Sequence, residues 1–64
     1  MKHYEHAATI SQQTQTARLL GASAQAQGWV RVPLMDATYT KLENWADMPM
    51  MLAWLEGWDE ANLC

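Results

Sequence analysis

Phenylalanine is absent from this 64-residue chain, cysteine occurs once, proline twice and glycine three times. The single cysteine, Cys64, leaves no partner for an internal disulfide, and a lone thiol fits a reducing compartment. Charged residues make up only 17% of the chain, with Lys+Arg 4 against Asp+Glu 7. That balance lacks the basic excess from which affinity for phosphates arises. No run approaches the ~18 apolar residues of a membrane span, and the N-terminus lacks the basic start and apolar core of a secretory signal. The chain therefore reads as cytoplasmic, with no membrane partner.

Catalytic patterns are missing too. There is no phosphate-binding glycine loop, no nucleophile elbow and no zinc spacing. His3 and His6, with Glu5 between them, could begin a metal site, but no third ligand stands at a suitable spacing. Cys64, at the last position, has no structured neighbourhood to lower its pKa or to hold a substrate. Glu56, Asp59 and Glu60 read as a solvated face, because nothing suggests a pocket that would shift them. The chain reads as non-enzymatic, with no cofactor, metal or small-molecule substrate.

Half the residues are hydrophobic, which excludes a disordered composition, and that half holds four Trp and five Met. A chain of this length makes one domain, 1–64, and buries only about 60% of the surface of its unfolded form. Tight helix packing or a partner must supply the remaining stability. A core of this size can hardly bury every Trp and Met, so some belong to a surface that a partner covers.

Helical periodicity covers about 7–27, where Ile10, Ala17, Leu20 and Ala24 recur on one face and Gly28 is a natural stop. Gly21, Ala24 and Gly28 place small residues together, which allows another backbone to approach closely. Residues 29–35 read as an extended link, because a single Trp29-Val30-Arg31-Val32 run has no strand to pair with; an edge offered to a partner strand is the lesser reading. Thr40 and Glu43 match a capping box and predict a short helix over 40–46. Asp47 and Pro49 then suit the start of a helix over 48–62, whose Met51, Trp54, Leu55, Trp58 and Ala61 form an apolar stripe. The expectation is an all-α, three-helix domain with its first and last helices packed as an antiparallel pair.

The block Trp54-Leu55-Glu56-Gly57-Trp58-Asp59-Glu60-Ala61 resembles the Trp-x-x-Gly-Trp-x-x-Ala helix that ends members of the ribosome modulation factor family. Ala17, Gly21, Ala24 and Gly28 are similar to the small-residue pattern of that family's first helix, and Pro33 falls where a proline follows it. The resemblance covers about half the chain and implies a shared helical hairpin and a ribosomal partner. Relative to the family, this chain carries a longer link before the Trp helix and is acidic.

Charge is divided along the chain. Residues 1–35 carry Lys2, Arg18 and Arg31 against Glu5, a net of +2, while residues 36–64 carry Lys41 against six acids, a net of −5. The acidic half suits a basic protein surface rather than naked nucleic acid. The candidate partner-binding residues are Trp29, Trp45, Met48, Met50, Glu56, Asp59 and Glu60. Ala17, Gly21, Ala24, Trp54, Gly57 and Trp58 are candidates for helix packing. The expected partner is a protein or ribonucleoprotein complex, and the expected function is that of a small modulator of a larger bacterial machine such as the ribosome. The competing expectation is a bacteriophage- or mobile-element-encoded inhibitor of a host complex, for example a defence nuclease of the CRISPR type. A homodimer through the Ala/Gly face is a third reading.

Overall fold

The computed structural model describes the backbone of residues 2–63 and the side chains of residues 12–63. The side chains of His3, Glu5 and His6, and all of Cys64, lie outside the described residues. The fold is all-α, but the described residues form two α-helices rather than three: α1, Lys2–Ala26, and α2, Met48–Leu63. Between them run two isolated 3-10 turns, Pro33–Met35 and Tyr39–Lys41.

The end of α1 follows from its sequence. Gly28 adopts a left-handed φ of 79°, which costs glycine little. Its N–H donates to the Gln25 carbonyl at 2.9 Å, and the Trp29 N–H reaches back to the Ala24 carbonyl at 2.9 Å. These two bonds satisfy carbonyls that the helix end would otherwise orphan. At the start of α2, the Asp47 carbonyl accepts from Met50 and Met51, both at 3.1 Å, with Pro49 in the first turn.

The helix expected over 40–46 does not form. Thr40 spends its hydroxyl on the Ala37 carbonyl at 3.2 Å and makes no reciprocal cap with Glu43. Instead the Asp36 carboxylate receives the Thr38 and Tyr39 amides at 3.0 and 3.2 Å, which starts a turn four residues earlier. Leu42 then stops it in an extended conformation, φ −69° and ψ 144°. A helix continuing across this region would also strand the Trp45 carbonyl, because its α-helical donor would be Pro49, which has no N–H. The Tyr39 hydroxyl donates to that carbonyl instead.

The helix pair is parallel, not antiparallel. Asn44, just before α2, donates to Gln13 at 3.0 Å; Arg18 meets Glu56 at 2.7 Å; Gln25 donates to Asn62 at 3.3 Å. Residue numbers thus rise together along both helices. A tight hairpin would force an antiparallel pair, but the segment between Ala26 and Met48 is long enough to return along the helices before α2 begins. It packs back beside them as a third layer.

The crossing is set by two glycines. A Cβ on Gly21 would stand 1.9 Å from the Trp54 carbonyl oxygen, and one on Gly57 would stand 1.9 Å from that of Arg18. The contacts are reciprocal, so each backbone lies in a notch of the other. Ala17 and Ala24 are fully buried beside the crossing, with Ala53, Met50 and Trp54 from α2. Leu20, Leu42, Trp45, Met51, Leu55 and Trp58 pack around this core.

Gly21→Ala or Gly57→Ala should therefore push the helices apart. Each is expected to destabilise by at least ~3 kcal/mol, the upper part of the range for overpacked cores. Thermal and denaturant unfolding followed by circular dichroism would measure this. Gly28→Ala, whose Cβ meets nothing within 4 Å, should cost only the ~1–2 kcal/mol of its left-handed backbone.

Candidate functional site

The polar centre of the molecule is a carboxylate that packing has enclosed. Asp36 is 2% exposed. One of its oxygens takes the two turn amides, and the other accepts the indole N–H of Trp54 at 2.9 Å. Trp54 and Tyr39 are both fully buried and meet edge to face with ring centroids 6.4 Å apart. Among the described residues, no buried side-chain nitrogen or oxygen lacks a hydrogen-bond partner. Burial, and then the nearby Asp47 charge, raise the Tyr39 pKa, so the phenol keeps its proton and its bond to Trp45. This neutral form contributes stability below the ordinary phenol range that is lost as pH rises through the higher folded value.

From this centre outward, the return segment becomes apolar and exposed. Trp29, Val30, Val32, Leu34 and Met35 all face solvent, Met35 at 73%. Five large apolar side chains in seven residues form a contiguous strap, whose bonds explain why they point outward. Its N-terminal end is fixed by the Trp29–Ala24 bond and its C-terminal end by Asp36. Between these anchors the backbone turns on itself: Val32 donates to Val30 at 2.8 Å, Met35 to Val32 at 3.0 Å and Asp36 to Pro33 at 3.0 Å. Arg31 reaches over α2 and binds Asp59 through Nε and Nη2, both at 2.7 Å, and Trp58 donates its indole N–H to the Trp29 carbonyl at 3.0 Å. Gly28, Trp29, Val30, Met35 and Ala37 line an open groove of about 480 Å³. None of the residues lining it is charged.

The candidate binding residues scatter over the molecule. Trp29 is half-exposed at the groove, and Asp59 lies at the same end, bound to Arg31. Met48 is exposed at the opposite end of α2, Met50 is buried in the core, and Trp45 is half-buried against it. Glu56 and Glu60 both face Arg18, at 2.7 and 4.0 Å. The three acids of α2 thus meet the two arginines Arg18 and Arg31, and the negative charge of that helix is partly compensated in space. Of the candidates for helix packing, Ala17, Gly21, Ala24, Trp54 and Gly57 are buried at the crossing, and Trp58 is half-buried beside it.

Val30, Val32, Leu34, Met35 and Asp36 are not among the binding candidates named from the sequence. The signal for the strap was present, because an apolar run without a partner strand has no interior to enter. Asp36 carried no such signal: its role arises only when Trp54 is brought against it.

No helix among the described residues is long and apolar enough to cross a membrane. None of their His, Cys, Asp or Glu residues group in threes that could hold a metal ion. Compared with protein-family models, curated proteins and solved structures, the chain matches none.

Two outcomes test this geometry. Asp36→Asn keeps an oxygen for the turn but sets an amide N–H₂ against the Trp54 indole donor. It should cost ~1–3 kcal/mol, the penalty of a buried donor left unsatisfied, and shift near-ultraviolet dichroism of the Trp/Tyr pair. The Arg31 hydrogen bonds hold the Asp59 carboxyl below the usual aspartate range. The contribution of Asp59 is therefore present above the ordinary aspartate range and lost as pH falls through the lower folded value. In a carboxyl-carbon NMR titration, Asp59 should titrate below a free aspartate and return to normal in Arg31→Gln.

Proposed function

We propose that the chain is a non-enzymatic interaction protein that docks on an apolar protein surface of a larger bacterial assembly. The observation that carries this reading is the exposed apolar strap, Trp29 to Met35, beside an uncharged groove. Monomeric proteins rarely expose contiguous apolar patches unless a partner covers them. Trp29 has the attributes of an anchor, being large, half-exposed and backed by a fixed backbone.

The Trp-x-x-Gly-Trp-x-x-Ala resemblance makes the ribosome the first assembly to test. The internal pairing of Glu56, Asp59 and Glu60 moves the weight of the proposal from an acidic edge to the strap. Apolar contact with a ribosomal protein then becomes a better expectation than contact with RNA phosphates. The bacteriophage-type inhibitor reading retains one support, the overall charge of −3, which suits a basic nucleic-acid-binding surface on a host complex.

Sedimentation with purified ribosomal particles at low salt tests the first reading. The chain should pellet with the particles, and Trp29→Ala should weaken binding by at least ~30-fold, as loss of an interface hot spot does. Met35→Asp should also weaken it, with the helical dichroism of both variants unchanged. A chain that stays in the supernatant sinks the ribosomal reading. If binding is found but neither strap variant changes it, the strap is not the docking surface.

A further inference from the structure

We propose that Trp29–Met35 is a hinged strap, latched to α2 by the Arg31–Asp59 pair, that opens as a unit while the helix crossing stays closed. The hinges lie at the two ends of the strap, Gly28 and Asp36. At one end Gly28 has a left-handed φ of 79°, and the space around its missing Cβ is open to 4 Å. At the other end Asp36 remains tied to Thr38, Tyr39 and Trp54.

Three observations favour local opening over opening of the whole fold. The apolar side chains between the hinges are already 41–73% exposed, so lifting them gives up only the remaining part of their burial. The backbone bonds Val32–Val30 and Met35–Val32 lie within the strap and travel with it. What remains to be broken is polar: the paired Arg31–Asp59 bonds, the Trp58 indole bond to the Trp29 carbonyl and, across the hinges, the Trp29 N–H bond to Ala24 and the Asp36 N–H bond to Pro33. The Arg31 and Asp59 side chains are 49% and 48% exposed, so salt screens their attraction.

Opening would change the site's shape. Trp29, Val30, Met35 and Ala37 line the groove, and the latch ties Arg31, next to Val30, to α2. The latch therefore sets the shape of the surface proposed for docking. It rests on that reading only for its purpose, since its test requires no partner and the two can fail separately.

Two indole protons report on the two levels of structure. The Trp58 N–H is bonded to the strap, and the Trp54 N–H is bonded to the buried Asp36. Their hydrogen exchange in the full chain can be followed by NMR. Asp59→Asn should speed exchange at Trp58 roughly three- to fivefold, the scale of an exposed ion pair, and leave Trp54 unchanged. Raising salt to about 0.5 M should speed Trp58 in the original chain but not in Asp59→Asn. Exchanging the charges, Arg31→Asp with Asp59→Arg, should restore slow exchange. Equal exchange of the two indoles in the original chain would show that the strap opens only with the whole fold, and would overturn the proposal. So would an unchanged Trp58 in Asp59→Asn, or a rise by the same factor at both indoles.

Discussion

The approach of two backbones at Gly21 and Gly57 governs the rest of this structure. Side chains normally hold helix axes 8–10 Å apart, but here each chain lies in the notch left by the other's missing Cβ. Dispersion between closely packed backbones, with Cα–H···O contacts as a secondary contribution, replaces the large side-chain core that a short chain cannot build. Because the notch on each helix receives a carbonyl from the other, the contact selects both the register and the close crossing. Trp54 is thereby carried beneath the returning segment, where it meets Tyr39 and Asp36.

The buried carboxylate is the second consequence. A segment returning beside two helices brings peptide groups into a dry interior, and they need partners. Asp36 serves three donors from three residues, and the Tyr39 hydroxyl serves the carbonyl that Pro49 would have left unpaired. This explains how a chain with so few charged residues can spend one in its core. The carboxylate fixes the path of the segment more closely than apolar packing alone would, since hydrogen bonds are directional. By ending the buried part of the return at residue 36, it also leaves the preceding apolar run outside.

Electrostatics on the surface follow the same geometry. Arg18 on α1 and Arg31 on the strap both face the acids of α2, because the parallel pair and its return segment bring the positive half of the chain alongside the negative half. Such exposed pairs contribute little to stability. Their effect is on what the surface offers: an acidic helix in the sequence becomes a partly neutralised one in the fold, and the apolar strap becomes the conspicuous feature.

Local signals determined a good deal by themselves. The small-residue face of the first helix, the glycine stop at Gly28, the start of the last helix at Asp47 and Pro49, and its Trp/Met stripe all depend on neighbours within a few turns. The all-α class follows from them. The 40–46 region was misread because a capping box competes with whatever else its residues can bond, and only the fold supplies Asp36 and Tyr39 as the competitors. The sense of the helix pair was likewise a tertiary decision. A long connection permits either direction, and the reciprocal glycine contact with its flanking polar pairs selects the parallel one. The strap's exposure, the burial of Met50 and the partial neutralisation of the acidic face were decided there too. Each depends on which distant residue arrives opposite, and that is a property of the crossing and not of any stretch of sequence.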